Sequence, residues 1–458
     1  MNFNRHQLHR LRLPLNDVTE HGHILPLARG SRGRVIVGAG LIVLALIPLN
    51  LLQYKLLGWS VLVPLKEWIS HYSFANYDSW APMRGALDYA RRVGPSFLYQ
   101  IFFDKHVKFQ YPPTALLPMS GLQLLGIHTT NAVLNNINRA LIVINAVGVG
   151  WLFRLVLIRT RGKKAAASPV ATSGAVVAGA ATLLFYPVMM GFWLGQIQVW
   201  IDTGFTFACI SILYNRKLTA GALAGLICLL KPQFGVFALW ALLRREWRFM
   251  LGAAIVILPC GLISIAVFGL RAQLDYLHVL SFLSERGEAM ITNNSVNGIL
   301  NALLGTANPF VWEEHGFPPY NPVVHLGSLA AAVILIAVGL WHQSSRSLLN
   351  GLLEFQFAAL AFTMAAPIAW EHHYGIMAPM LATVFCLLVA APESTQRMRQ
   401  LLALAAVYLL STICVTSNEY TSATFLNLAF GYLFFAGLGM LAMLWWVARA
   451  AQLRPAPQ

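Results

Sequence analysis

The sequence predicts an all-α polytopic membrane protein, and three observations lead to this fold class. Of its 458 residues, 57% are hydrophobic and only 11% are charged, and the mean hydropathy is +0.62. Soluble domains carry roughly 25% charged residues, so this chain has too little polar surface to fold as a water-soluble globule. Apolar segments long enough to cross a bilayer as helices recur along the chain. The net charge of +15 falls mainly between those segments, which indicates basic cytoplasmic loops near anionic lipid rather than a nucleic-acid partner.

Ten of the apolar segments are predicted to be full crossings, and two further segments are predicted to be irregular. Segment 112–127 is short and begins with two prolines, so we interpret it as re-entrant or interfacial. In segment 219–243, Lys231 and Pro232 interrupt the apolar run, and because proline breaks the helical hydrogen-bond ladder we interpret it as two re-entrant half-helices. The predicted crossings lie near residues 35–55, 134–157, 169–190, 196–214, 249–270, 324–342, 350–366, 374–391, 401–416 and 425–447.

The distribution of Lys and Arg predicts the orientation, since cytoplasmic loops carry an excess of both. We place the Arg-rich tail 1–34 in the cytoplasm, because it lacks the apolar core of a signal peptide. This arrangement also leaves "RTRGKK" (159–164), "RREWR" (244–248) and the tail 449–458 inside. A full crossing at either irregular segment would move one of these basic loops outside. The prediction is one transmembrane domain, 35–448, in the cytoplasmic (inner) membrane with both termini cytoplasmic.

The same orientation gathers the unusual polar residues at the outer face. Two outer loops, 56–111 and 271–322, are predicted to cap a site there. Loop 56–111 is rich in aromatic residues, and its segments "KEWISHYSF" and "LDYARRVGPSF" have the character of amphipathic interfacial helices. The sequence contains no nucleotide-binding glycine loop, and its five cysteines lie in apolar runs without the spacing of a metal site.

Two aspartates of loop 56–111 are candidate carboxylates. Asp78 stands beside aromatic residues, which exclude water and raise the pKa of a carboxyl towards that of a useful general base. The alternative is that Asp78 caps the helix that follows it. Asp88 is followed by Arg91 and Arg92, and helical spacing allows it to pair with them instead.

The segment "GFWLGQIQVWIDTG" contains a second set of polar residues. It places Gln196, Gln198 and Asp202 at the outer end of a predicted crossing. Polar groups inside a membrane normally face a cavity or one another, which makes all three candidates for a site. Asp202 could instead pair with Arg139 or Arg154.

Two later segments add further candidates. In "ITNNSVNGILNALLG", Asn293 and Asn294 open an apolar helix, where they could help to bind phosphate or simply cap the helix. In "AWEHHYG", Glu371, His372 and His373 open a predicted crossing at the outer face. No third ligand is spaced with the adjacent histidines, so contact with a phosphate is favoured over zinc.

Taken in order, these motifs resemble those of the GT-C superfamily of membrane glycosyltransferases. The closest resemblance is to glycosyltransferase family 87, the polyprenyl-phosphate-mannose-dependent α-mannosyltransferases. It covers roughly residues 70–385, and no single motif in it is diagnostic. The residues that carry it are Asp78 with Ala86, Gly94 and Tyr99, then "FQYPP" (109–113), "GQIQ" (195–198), "GALAGLICLLKPQFGVFALWALLRREWR" (221–248), "NNSVNGILNALLG" (293–305) and "WEHHYGIMAPMLA" (370–382).

The resemblance implies a GT-C-like bundle and an enzyme that transfers a hexose, expected to be mannose. The sugar would move from a polyprenyl-phosphate donor to a lipid or glycan acceptor at the outer, periplasmic face. Asp78 would act as the general base that deprotonates the acceptor hydroxyl. The residues that would bind the donor phosphate, stabilise the leaving lipid phosphate or orient the sugar are Lys231 with His372 or His373, Gln196 and Asn294.

The resemblance also implies which partners the enzyme needs. No metal or other cofactor is expected, because a lipid phosphate is already a good leaving group. The expected partners are membrane lipid, the polyprenyl-phosphate-linked sugar donor as co-substrate, and a glycolipid or glycan acceptor. Trp80, Pro82 and Met83 stand where the family usually has tyrosines, so different acceptor contacts are expected. Secondary candidates for the site are Asp88, Arg84, Tyr111, Gln198, Asp202, Gln233, Asn293 and Glu371.

Two other classes of protein fit part of the pattern. A multi-span transporter also uses broken half-helices around a charge, but carriers commonly contain an internal repeat and a central site. Here no repeat is visible and the polar residues gather at one side. A flippase or polymerase of lipid-linked saccharides would bind the same donor chemistry, so charge alone does not separate it from a glycosyltransferase.

Overall fold

A computed structural model describes residues 26–70, 78–305, 307–313, 315–341, 347–413 and 425–452. Most of the predicted N-terminal tail, the short outer loop 417–424 and the last six residues lie outside the described residues. Over the described part of the chain the secondary structure is helical, with no β-strand beyond one isolated bridge between Asn293 and Trp370.

The described residues form eighteen α-helices, and short 3-10 turns lie in some of the connections between them. The first nine are α1 Pro26–Leu57, α2 Leu62–Ser70, α3 Trp80–Val93, α4 Gln100–Phe103, α5 Leu117–Leu124, α6 Asn131–Ala166, α7 Pro169–Leu183, α8 Tyr186–Trp193 and α9 Gln198–Leu213. The other nine are α10 Lys217–Leu230, α11 Val236–Leu243, α12 Trp247–Arg286, α13 Val296–Leu304, α14 Pro322–Leu340, α15 Leu348–Ala365, α16 Met377–Ala390, α17 Thr395–Thr412 and α18 Tyr432–Gln452.

Seven helices within the described residues are long and apolar enough to cross a membrane, and the bent pair α7–α8 makes up to eight. This confirms the predicted all-α polytopic class, whereas the predicted count of ten crossings is not confirmed. The predicted crossing 196–214 is α9, which has only 16 residues. The predicted crossing 401–416 corresponds to α17, which begins earlier, in the polar segment "TQRMRQ". The seven are α1, α6, α12, α14, α15, α16 with the turn before it, and α18.

The chain leaves the helix at Lys231, between α10 and α11. Lys231 has an extended backbone (φ −137°, ψ 100°), and Pro232 opens a 3-10 turn that leads into α11. The helix ends here because Pro232 cannot donate a hydrogen bond and because the residue before a proline disfavours the helical conformation. The break therefore lies where Pro232 predicts it. Lys231 itself belongs to neither α10 nor α11.

Loop 56–111 contains the amphipathic helix that its sequence predicts. One face of α3 is buried, whereas Asp88, Arg91 and Arg92 lie on its exposed face. The buried residues follow the spacing of a single helical face, which docks α3 onto the bundle. They are Trp80, Met83, Ala86, Leu87 and Ala90.

The predicted outer loop 271–322 is shorter in the structure, because α12 continues to Arg286. Gly269 interrupts this helix with φ 80°, a left-handed conformation that glycine adopts readily, and the chain then resumes the helix. The connection after α12 therefore begins at Gly287 and contains the short helix α13. The second half of α12 brings Tyr276 and Leu283 to the wall of the cavity described next.

Candidate active site

A cavity of about 1500 Å³ lies where α3, the turn between α8 and α9, the break at Lys231 and the turn Glu371–Ile376 meet. It exceeds the roughly 300–1000 Å³ of most small-molecule pockets. The structure brings together at this cavity eight of the residues that the sequence singles out: Asp78, Tyr111, Gln196, Lys231, Gln233, Glu371, His372 and His373.

A hydrogen-bond network fixes the orientation of Asp78. Its Oδ2 atom accepts a hydrogen bond from Gln196 Nε2. The other end of that amide, Gln196 Oε1, accepts from Tyr111 OH at 3.0 Å and from Ser79 Oγ at 2.5 Å. The Asp78 backbone N–H donates to the carbonyl of Leu194 at 2.9 Å. These bonds tie the start of α3 to the turn before α9 and aim the amide N–H of Gln196 at the carboxylate.

The contacts of Asp78 do not support its alternative role as a helix cap. Ser79 occupies the N-cap position of α3, and no side-chain capping bond forms there among the described residues. Burial raises the pKa of the Asp78 carboxyl, while the Gln196 hydrogen bond and the charges of Lys108 and Lys231 lower it. Burial is the largest of these effects, so the pKa lies above its ordinary value, as a general base requires.

Lys231 lies buried at the cavity, with 7% of its surface exposed. Its Nζ donates to Gln198 Oε1 at 2.7 Å, and Gln198 Nε2 donates in turn to Asp202 Oδ1 at 2.7 Å. Within the described part of the chain, Lys231 forms no ion pair with a carboxylate. A buried lysine whose Nζ atom, among the described residues, is hydrogen-bonded to a neutral amide alone is suited to bind an anion.

The turn Glu371–Ile376 presents two histidines to the cavity. Both ring nitrogens of His372 and the Nδ1 atom of His373 are buried without a hydrogen-bond partner among the described residues. Buried polar atoms are normally paired, so atoms left unpaired at a cavity wall are suited to contact a ligand. Glu371 anchors the turn, because its carboxylate accepts from Tyr186 OH at 2.9 Å and from Tyr432 OH at 3.0 Å.

Asn293 and Asn294 are placed behind the cavity wall rather than on it. Asn293 Oδ1 accepts from the backbone of Ala369 at 2.9 Å, and its Nδ2 donates to the carbonyl of Glu288 at 2.9 Å. Asn294 Oδ1 accepts from the backbone of Leu433 at 3.1 Å. Both side chains bind backbone groups and thereby hold neighbouring segments together. The predicted role of Asn294 in binding the donor remains a prediction.

Four further candidates lie away from the cavity wall. Gln198 and Asp202 form the layer behind Lys231 described above, so the alternative pairing of Asp202 with an arginine is replaced by pairing with Gln198. Asp88 is exposed and lies 3.5 Å from Arg91 Nη1, as its alternative interpretation predicts. Arg84 Nη1 donates to the carbonyl of Thr129 at 3.4 Å.

The sequence reasoning missed an aromatic and charged cluster at the same cavity. Lys108 Nζ lies 2.7 Å from Glu288 Oε2 and 4.0 Å from the centre of the Trp312 ring. Burial raises the pKa of the Glu288 carboxyl, and Lys108 lowers it. The position of Lys108 directly before "FQYPP" could have pointed to it. Its partners, however, are about 180 and 200 residues away along the chain. No group of three metal-ligating side chains occurs in the described ranges.

The fold and the cavity define a class, that of polytopic helical membrane proteins with a buried polar site. The model of glycosyltransferase family 87 matches residues 109–415, about two thirds of the chain. The chain belongs to glycosyltransferase family 87 and is a multi-pass membrane glycosyltransferase. The match begins after Asp78, so the assignment of that residue depends on the geometry of the cavity. No curated protein and no solved structure matches the chain.

Proposed function

We propose that the protein transfers a hexose, with mannose as the first candidate, from a polyprenyl-phosphate donor to a lipid or glycan acceptor at the outer membrane face. One observation carries this proposal: a carboxylate with a raised pKa, a buried lysine and two histidines all face one cavity. Among the described residues the lysine has no carboxylate partner, and three of the four histidine ring nitrogens have no hydrogen-bond partner. This combination supplies a base for an acceptor hydroxyl and a binding site for a phosphate, which are the two groups that the transfer needs.

The charges on the cavity wall suit a phosphate leaving group. As the bond between the sugar C1 and the phosphate oxygen breaks, its electron pair passes to the lipid phosphate and the negative charge there grows. Lys231, with a ring N–H of His372 or His373, would stabilise that charge, and fixed groups in a water-poor site do so with little reorganisation. The acceptor oxygen forms the new bond to C1, and its proton passes to the carboxylate of Asp78.

The apolar part of the cavity supports a lipid-linked donor. The apolar wall consists of side chains from the end of α10 and from α11, α12, α14 and α15. Such a surface can bury a prenyl chain, because removing apolar area from water is favourable, whereas a nucleotide donor would leave it uncovered. The residues of this wall are Leu230, Val236, Leu280, Leu283, Ile336 and Phe362.

Purified protein supplied with radiolabelled polyprenyl-phosphate-hexose and membrane lipid acceptors tests the proposal. We expect the label to move to an acceptor with the wild type. Asp78→Asn should abolish transfer and retain donor binding, since an asparagine can still accept from Gln196 Nε2 but cannot take the proton. Asp88→Asn is the matched control, because this aspartate is exposed, and it should transfer normally.

Two results would contradict the proposal. Normal turnover by Asp78→Asn would show that another group is the base. Accumulation of the sugar lipid inside sealed proteoliposomes, without a covalent product, would favour the transporter or flippase class, against which the family membership argues.

A further inference from the structure

A second cavity, of about 800 Å³, lies between α1, α7, α16 and α17. We call it the α1 groove. None of its lining residues is shared with the candidate active site. Gly38 of α1 lines it, and an added Cβ there would meet no atom within 4 Å. Most of its wall is apolar, with side chains such as Ile42, Val177, Phe385 and Leu401.

The polar groups of the wall divide into two sets. Along the apolar length of the groove they are already paired: Thr182 donates to the carbonyl of Ala178 at 3.0 Å, and Tyr408 donates to the carbonyl of Ala181 at 2.9 Å. The remaining charged groups gather at one end, which we call the mouth of the groove.

The mouth is basic. Arg34 is exposed there, and Arg397 lies at the same end with Glu393 beside it. Arg397 Nε donates to the carbonyl of Leu388 at 2.7 Å, which holds its guanidinium group at the end of α16. The charge of Arg32 also acts on Arg397. Three arginines against one glutamate leave an excess of positive charge at the opening.

The length of the groove matches one leaflet of a bilayer. Along α1 the lining residues extend from Arg34 to Val43, and along α17 from Arg397 to Tyr408. At 1.5 Å per residue these stretches are about 14 and 16 Å long, roughly half of a hydrocarbon core of about 30 Å. A single acyl chain whose head group lies at the mouth would run along this length.

We propose that the α1 groove binds one anionic phospholipid, with its phosphate at Arg34 and Arg397 and one acyl chain along α1 and α17. Basic pockets between membrane helices on the cytoplasmic side are suited to anionic head groups, and the predicted orientation places the mouth on that side. The N-terminal tail of the chain is a weaker candidate, because its own arginines would face the basic mouth.

Native mass spectrometry of the full chain in detergent, titrated with phosphatidylglycerol or phosphatidylcholine, tests this site. We expect the wild type to retain one phosphatidylglycerol in preference to phosphatidylcholine. Arg34→Gln should weaken phosphatidylglycerol binding roughly fivefold, as the loss of one arginine near a lipid phosphate predicts. Gly38→Phe should abolish binding by filling the groove, and it should not impair folding, because glycine is a poor helix former.

Gly261→Phe is the matched control, since Gly261 lies on α12, also faces empty space and does not line the α1 groove. It should bind phosphatidylglycerol as the wild type does. The proposal is overturned if both lipids bind equally well, or if Gly38→Phe binds like Gly261→Phe. It is also overturned if a cysteine placed at Gly38 crosslinks to the N-terminal tail in the presence of phosphatidylglycerol, because the tail would then occupy the groove.

Discussion

The properties of Asp78 are set mainly by residues that are far from it in the sequence. Gln196, 118 positions away, donates to its carboxylate, and Tyr111 and Ser79 orient that amide. Burial raises the pKa of Asp78, and the charges of Lys108 and Lys231 oppose that rise. Each neighbour therefore gives a way to shift the pKa of the proposed base without removing it.

Gln196→Met is expected to move the acidic limb of the pH profile to higher pH. Methionine has a similar size but cannot donate to the carboxylate, so the charged form of Asp78 is less stable and its pKa rises further. Only ionised Asp78 can accept the proton. As the pH is lowered, the variant should therefore lose activity before the wild type does. The measurement is log kcat/KM against pH. Gln123→Met, on α5 outside the cavity, should leave the limb in place, and an unshifted limb in Gln196→Met would remove Asp78 from the role of base.

Lys231→Met is expected to lower kcat about 100- to 1000-fold, the loss typical of removing one group that stabilises charge in the transition state. Lys217→Met is the control, because Lys217 lies at the other end of the same helix, α10, and pairs with Glu246 Oε1 at 2.6 Å. Steady-state kinetics with the proposed polyprenyl-phosphate-sugar donor separate the two variants. Equal rates for both would mean that Lys231 does not contact the leaving phosphate.

Most polar residues of the cavity wall could be identified from the sequence. The sequence did not show which candidates face the cavity and which bind backbone groups behind it. Lys231, Gln196 and the two histidines were evident because charged and polar groups are rare in apolar segments. Asn294 had the same signal, yet its side chain is used to bind the backbone of Leu433. The difference lies in contacts between distant segments, which local sequence does not encode. For the same reason Lys108, whose partners are far along the chain, was missed.

At the scale of elements, the position of Lys231 depends on how α10 packs against α12. Two glycines allow the helices to approach closely: a Cβ at Gly221 would lie 1.9 Å from the carbonyl oxygen of Phe249, and one at Gly252 would lie 2.0 Å from that of Leu218. Small residues at such contacts let helices in membranes pack backbone to backbone. The sequence predicted the break at Pro232 but not the length of α12, because Gly269 interrupts that helix without ending it.

Gly252→Val is expected to destabilise the protein and reduce activity together. A branched side chain at this contact must push α10 away from α12, and overpacking of this kind costs about 1–3 kcal/mol. The comparison is with Gly261→Val on the same helix, where the added side chain meets open space. Thermal unfolding in detergent should show a lower midpoint for Gly252→Val alone. If the two variants unfold at the same temperature, the close contact does not support the site.

At the scale of the whole molecule, the candidate active site and a group of basic side chains lie at opposite ends of one span. The turn at the start of α16 presents His372 and His373 to the cavity. At the other end of α16, Arg161 donates to the carbonyl of Ala390 and Arg397 to that of Leu388. Because basic residues mark the cytoplasmic side, this arrangement favours an active site that opens to the outer face.

Accessibility of single cysteines in intact cells tests that orientation. In a variant without the native cysteines, Asp88→Cys lies on the exposed face of α3 near the cavity, and Lys163→Cys lies in the basic last turn of α6. A membrane-impermeant thiol reagent should label Asp88→Cys in intact cells and Lys163→Cys only after permeabilisation. The reverse pattern would place the cavity on the cytoplasmic side, so that the donor would be drawn from the inner leaflet. The two positions lie at opposite ends of the bundle. If both were labelled in intact cells, the bundle could not span the membrane between them.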